Sequence, residues 1–351
     1  MYGQPGQDNL RVRKVYGKDH IRYMRCGRCG EEFSERKNTA LWNSKIRERQ
    51  AIAVAEHLAE GCSCRGTARL VKVDSGTVRR LNRRLGQHGQ HYHDQHVQAI
   101  EVEALEADER YGFAGSKGQP AWEAELMDPA SKFVIAHVQG RRDETLIRRL
   151  LTDGAARLAN RHDIAFFTDG LAFYDTLFPQ IFGHPYRPFR QGTRGRPPGL
   201  HYRIPRTAAH AQIVKQYRGR RLVRVEVHYV HGSIKRITHA LTALGYTIPN
   251  LSAIERRNGT ARLMSAAQTR KSLAFSGRPD TKVALGWWAL TVYNWCRPHR
   301  SLKRLLPLPM GKKSMSSVLP QWLSVWQVRF YLSLRLSPRP SILTPVGDNP
   351  T

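Results

Sequence analysis

Acidic residues are scarce in this chain. There are 28 Asp and Glu against 57 Lys and Arg, a net charge of +29. So strong an excess concentrates the protein on polyanions, with DNA, RNA and anionic membrane surfaces as the candidates. Long apolar runs are also missing. No stretch of about 18 apolar residues exists to span a bilayer, and the start, MYGQPGQDNLRVRK, has no apolar signal-peptide core. Cysteines are few and odd in number (Cys26, Cys29, Cys62, Cys64 and Cys296), which argues against a disulfide framework and for a reducing cytoplasm. No Gly-x-x-x-x-Gly-Lys-Ser/Thr loop is present, so no nucleotide cofactor is expected. No internal repeats are found. The hydrophobic fraction, 40%, is too high for a disordered chain.

What is present divides the chain into regions. Residues 1–45 form a small basic module holding Cys26-Gly-Arg-Cys29, then Phe33, Leu41 and Trp42. Residues 46–96 read as helical with a linker. Ile52, Val54, Ala55 and Leu58 give one periodic patch that Gly61 can end, and Thr67 to Val71 give a second. A larger domain is expected over 97–305. Its first strand is predicted at 97–108, ending in the acidic Glu106-Ala-Asp-Glu109. Further strands are predicted at 121–127, 132–139 and 163–169, with an amphipathic helix over 143–158 before the last. Three strands, helix, strand predicts an α/β or α+β layer, with α/β preferred: a mixed sheet flanked by helices. Residues 187–236 carry thirteen Lys or Arg against one acid, Glu226, and are expected to be a basic insertion. Helix returns over 250–300, where Trp287, Trp288, Leu290, Val292, Tyr293 and Trp295 form a candidate core face. From 306 to 351 the character changes again.

Two segments suit DNA. Residues 65–85 resemble a helix-turn-helix, with a recognition helix over 75–85 capped by Asp74 or Ser75. Val78, Leu81 and Leu85 would face inward, leaving Thr77, Arg79, Arg80, Asn82, Arg83 and Arg84 for DNA. In the basic stretch, Arg194 and Arg196 are candidates for a minor groove, and several arginines for phosphate contact. Cys26 and Cys29 have the spacing of one zinc knuckle, but a structural zinc site needs four ligands. The histidines at 88–96 read as a polar linker.

Asp108 and Asp169 fall at the ends of predicted strands, and Glu255 begins a predicted helix. Crowded carboxylates repel unless cations neutralise them. Such a set suits phosphoryl transfer assisted by two hard cations, Mg2+ or Mn2+. Glu109, next along the strand, is expected to face the other way and to be structural. Asn258 and Arg262 lie three and seven residues beyond Glu255, on one helical face, and are candidates for DNA contact.

Four segments, in order, resemble the transposases of the insertion-sequence-1 type. They are Asp108-Glu-Arg-Tyr-Gly-Phe-Ala-Gly-Ser-Lys117, Phe167-Thr-Asp169-Gly-Leu-Ala-Phe-Tyr174, Ile254-Glu255-Arg-Arg-Asn258 with Arg262 and 270–276, and Tyr293-Asn-Trp-Cys-Arg-Pro-His-Arg-Ser-Leu302. The resemblance covers roughly residues 15–305. It implies a ribonuclease-H-like core with Asp108, Asp169 and Glu255 as catalytic metal ligands, and cleavage of element ends followed by their joining to target DNA. It also implies a homo-oligomer on DNA, associated with a bacterial nucleoid. The family carries a second Cys-x-x-Cys upstream, so a half zinc ribbon is expected here, with Zn2+ as a possible second metal. The family's tail also differs, since a Thr-Pro-rich segment and Thr-Asp-x-x-Trp give way to Leu306-Pro-Leu-Pro-Met. Two rival expectations stand beside this one. One is an inactive, decayed transposase that only occupies DNA as a regulator; the other is a nuclease of the same fold that cleaves without joining.

Overall fold

A computed structural model describes residues 9–189, 198–269, 271–299 and 302. Arg194, Arg196 and the divergent tail lie outside these residues. The described residues form two compact units. One comprises 94–261; the other joins the residues before 94 to those after 261.

The discontinuous unit opens with three antiparallel strands, β1 (Leu10–Tyr16), β2 (Ile21–Cys26) and β3 (Glu32–Ser34). Three helices follow, α1 (Glu48–Ala59), α2 (Cys64–Val71) and α3 (Ser75–His96). Val54, Ala55 and Leu58 are buried on α1, and Gly61, at φ +79°, ends that segment in the left-handed region. Ser63 caps α2 by accepting from Gly66 N at 3.0 Å. Three residues separate α2 from α3. In this turn Asp74 Oδ1 accepts from the N–H groups of Gly76 (2.8 Å) and Thr77 (3.1 Å), fixing where α3 begins.

The continuous unit contains β4 (Ala104–Arg110), the small hairpin β5 (Phe113–Ala114) and β6 (Ser116–Pro120), then β7 (Trp122–Met127), β8 (Val134–Gly140) and α4 (Glu144–Arg157). After these come β9 (Ala165–Thr168), α5 (Ala172–Phe182), the short pair β10 (His184–Tyr186) and β11 (His201–Arg203), β12 (Ala209–Arg218), β13 (Arg221–His231), α6 (Ile234–Leu244) and α7 (Ser252–Met264). The sheet has six strands in the order β13-β12-β9-β4-β7-β8. β4, β9 and β12 are parallel, while β7, β8 and β13 run antiparallel to their neighbours. β9, Ala-Phe-Phe-Thr, is buried along its whole length, as a central parallel strand covered on both faces must be. Asp143 caps α4, its carboxylate accepting from Leu146 N at 3.0 Å. Gly154 of α4 closes on Leu126 and Ala136, and Tyr174 of α5 reaches Glu109. α7 takes the other face, bonded to Glu106, Asp108 and Arg110. This mixed sheet with flanking helices is compatible with a ribonuclease-H-like core.

The closing helix, α8 (Pro279–Trp295), belongs to the discontinuous unit rather than to the domain expected over 97–305. All six predicted core residues on it are buried, and Trp288 Nε1 donates to Ala55 O at 2.9 Å. α8 also explains why α3 continues to His96 through the expected linker. A Cβ at Gly86 would stand 2.5 Å from Ala284 Cα, and one at Gly89 2.1 Å from Thr291 Oγ1. The two glycines let the helices touch, and His93 packs edge-on against Trp287. The basic stretch corrects a second expectation: residues 187–236 are not simply an insertion, because they supply β12 and β13 to the sheet. Among the described residues, no helix is long and apolar enough to cross a membrane.

Candidate active site

The parallel strands β4 and β9 lie side by side, and Asp169, just past the end of β9, comes level with Asp108 of β4. Asp108 is the fifth residue of β4. Asp169 follows the last residue of β9, and its Oδ1 accepts from Leu171 N (3.0 Å) at the entry to α5. One carboxylate oxygen each from Asp108, Glu109 and Asp169 lies within 4.8 Å of the others. Among the described residues this is the only group of three or more carboxylate, thiol or imidazole side chains so placed.

Strand alternation divides the β4 side chains. Glu106, Asp108 and Arg110 face α7. The backbone N–H of Ile254 donates to Glu106 Oε2 at 2.8 Å, and Asn258 Nδ2 donates to Asp108 Oδ2 at 2.7 Å. Arg110 donates to Asn258 Oδ1 at 3.0 Å. Glu109 faces α5, where Tyr174 donates to one oxygen and Arg142 Nε to the other at 3.0 Å. The bonding of Glu109 is thus that of a structural residue. Its carboxylate nevertheless stands in the acidic group, because Asp169 sits beyond the strand end and is reached from both faces. Arg142 spans the two, 3.5 Å from Asp169.

Burial first, and then the Glu109 and Asp169 charges, push Asp108 up to about 7. Burial also raises Glu109, against the bonds from Tyr174 and Arg142. Glu106, wholly buried, is pushed up to about 7 by burial, against the Ile254 N–H. Three oxygen-donor acids, crowded and costly to ionise together, fit a hard divalent cation. Glu255 does not join this group. It lies exposed on α7 as an ion-pair partner of Lys215 from β12, although its charge still acts on Asp108.

Behind Asp108 lies a buried ion network absent from the sequence reading. Arg110 Nη2 donates to Glu123 (2.8 Å) and Glu125 (2.7 Å), and Glu125 also meets Arg257 (3.0 Å) and His137 Nδ1 (3.1 Å). Burial would raise Glu125, but the Arg110 and Arg257 guanidiniums hold it well below the usual carboxylate range. Asn258, expected to touch DNA, is instead buried and joins this network to Asp108. Polar Glu125 and His137, paired directly across β7 and β8 on strands that are largely apolar, were the only sequence signal for it.

On α3, Val78, Leu81 and Leu85 are buried as expected. Arg79 and Arg80 are exposed and Thr77 is half-buried. Asn82, expected to face DNA, is buried and donates to Thr281 O at 3.3 Å, because the helix face it occupies is covered by α8. Arg83 pairs with Asp280 at 3.1 Å, and Arg84 donates to Trp42 O at 2.7 Å. Arg262 is half-buried at the end of α7. Cys26 is buried and Cys29 exposed. The backbone N–H of Cys29 lowers the Cys26 thiol against its burial, and no third ligand stands with the pair among the described residues.

Compared with known protein families and with curated proteins, the chain matches no family model and no curated protein.

Proposed function

We propose that the chain is a DNA transposase of the DDE type, which cleaves element ends and joins them to target DNA by metal-dependent phosphoryl transfer. The observation that carries this reading is the convergence of Asp108 and Glu109 of β4 with Asp169, just past the end of the adjacent parallel strand β9. Asp108 and Asp169 would hold Mg2+ or Mn2+, with Glu109 within reach as a further oxygen donor. A cation so held supplies charge for the attacking and leaving oxygens of a phosphodiester. The chain's own residues orient that site. Asn258 fixes one Asp108 oxygen, the Leu171 N–H fixes Asp169, and Arg142 and Tyr174 hold Glu109.

In the first step water attacks a phosphodiester at the element end. The bond to the 3′-oxygen breaks and a free 3′-hydroxyl is left. In the second step that hydroxyl attacks a target phosphodiester, forming one P–O bond as another breaks, so no nucleotide cofactor is needed. Glu255 would complete the set by turning from Lys215. The exposed arginines of α3, Arg79 and Arg80, following a three-residue turn after α2, would meet DNA in the manner of a helix-turn-helix.

One observation favours a second reading, a DNA-binding regulator without catalysis: Glu255 is engaged by Lys215 and stands outside the acidic group. The two readings separate in one assay. Purified protein, a labelled element end, plasmid and Mg2+ should give joined products, and these should vanish in Asp169→Asn. Binding without any cleavage or joining leaves the regulator, and cleavage without joining leaves a nuclease.

A further inference from the structure

β12 and β13 leave the body of the sheet as they approach their connecting turn. Residues 209–213 of β12 are buried, but all ten residues from 216 to 225 are exposed. Consecutive strand residues point to opposite faces, so ten exposed residues in a row mean a two-stranded ribbon bare on both sides. Tyr217 and Val223, 60% and 61% exposed, confirm that apolar side chains there have no cover. Two-stranded ribbons are marginal alone in water.

Register sorts the ribbon's side chains. Arg218 stands directly opposite Arg221, Tyr217 opposite Leu222, Gln216 opposite Arg224 and Lys215 opposite Val225. Directly opposed residues share a face. One face therefore carries Arg218, Arg221, Arg224 and Gln216, and the other carries Tyr217, Leu222, Val225 and Lys215. Three residues apart on a regular strand, Arg221 and Arg224 would point opposite ways. The register shift between Gln216 and Tyr217, which leaves Val223 without a partner, brings them onto one face. Two arginines placed directly across from one another repel, which destabilises the ribbon. Glu226, the one acid of β12 and β13, pairs with Arg224 at 3.1 Å.

We infer that this arginine face docks into the major groove of a DNA duplex, as a second grip beyond α3. The inference rests on the reading of the chain as a protein that acts on DNA. The match is one of charge and shape: an anion repeated along the duplex relieves the Arg218–Arg221 repulsion, and the B-form major groove admits a two-stranded ribbon. The A-form RNA major groove is too deep and narrow for side chains to read, so duplex DNA is the partner favoured over duplex RNA.

The test is binding of the full chain to a labelled DNA duplex and to an RNA duplex of the same length, in EDTA, over a salt series. Substituting Arg218, Arg221 and Arg224 together with Gln should weaken DNA binding about tenfold or more at moderate salt. It should also flatten the log–log salt slope by about 2.7, since each neutralised phosphate contributes about 0.9. The same three positions as Lys should keep most of the slope, which separates lost charge from a lost ribbon. Tyr217→Ser with Leu222→Ser, on the other face, should leave DNA affinity within about twofold of wild type. Wild-type DNA affinity in the Gln variant overturns the inference. So does an equal effect of the Gln set on RNA, collapse of the Lys variant, or a loss with the Ser pair that matches the Gln set, which would mark the ribbon as a contact between copies. EDTA keeps the acidic group out of the measurement. Loss of binding in the Gln variant of a protein that never cleaves DNA would retain the ribbon and remove the catalytic reading.

Discussion

Asp108 and Glu125 stand directly opposite each other on neighbouring strands, yet the protein treats their charges in opposite ways. Glu125 is surrounded by Arg110, Arg257 and His137, and its carboxyl is held well below the usual range. Asp108 is buried with Glu109 and Asp169 for neighbours, and its donors, the Asn258 amide and the Glu109 backbone N–H, carry no charge, so it is pushed up to about 7. The network around Glu125 supplies its own cations. The group around Asp108 is short of positive charge, with Arg142 at its margin. The Glu125 carboxylate is neutralised from within the fold, whereas the Asp108 group is left to be neutralised from outside, as the proposed metal site requires.

The comparison can be broken from either side. The largest effect is expected at the acidic group. Asp169→Asn removes one charge and one ligand, so cleavage and joining should fall by orders of magnitude while DNA binding persists, as read by strand-transfer and mobility-shift assays on one preparation. Wild-type rates would remove Asp169 from the site.

On the network side, Glu125→Gln leaves two buried guanidiniums with one fewer anion. Removing one partner of a buried ion pair costs about 3–5 kcal/mol. Urea unfolding of the 94–261 unit, followed in the full chain by amide hydrogen exchange of β4, should shift accordingly, and an unchanged midpoint would mean that Glu123 suffices.

pH sharpens the contrast. A cation takes the ionised carboxylate, and Asp108 ionises near 7 rather than near 4. Below pH 7 the metal must displace a proton, so Mn2+ affinity should fall by up to about tenfold per pH unit as the solution is acidified. The same shift makes Asp108 oppose folding in the metal-free protein as pH rises from its ordinary value through 7, since the unfolded chain ionises first. Mn2+ titration by electron paramagnetic resonance at pH 8 and pH 6 checks the first sign; equal affinities would show that Asp108 is not a ligand. The smallest effect belongs to Lys215→Gln. It frees Glu255 from a partly exposed pair that contributes at most about 1 kcal/mol, so Mn2+ should bind up to about fivefold more tightly. No change would mean that Glu255 stays out of the site even when released.

The sequence made β7, β8, α4, β9 and the α8 core legible because their apolar spacing is local. The position of Asp169 was legible for the same reason, since it follows a readable strand, whereas β4 continues two residues past Asp108. β4 begins at Ala104, later than predicted, because Val97 and Val102 are buried without joining the sheet and Ile100 between them bridges Leu158 instead. The ion network was not legible. Glu123 and Glu125 alternate with apolar residues as the solvent face of a half-exposed strand would, but α7 covers that face. Its bonds join residues far apart in the chain, such as Arg110 and Asn258, and leave no local pattern. For the same reason Asn258 resembled helix-surface polarity, and the charge of β12 hid its place beside β9.

The contact of Gly86 and Gly89 with α8 has a consequence for the order in which the protein is made. A ribosome releases α3 long before residues 279–295, and the whole 94–261 unit is synthesised in between. At about 5–20 residues per second that interval lasts on the order of ten seconds or more. Throughout it the α3 surface destined for α8, Gly86, Gly89 and His93 among it, waits without its partner. The nascent chain therefore carries the complete 94–261 unit while the N-terminal one is unfinished, and a chaperone that shelters exposed helices would find its substrate there.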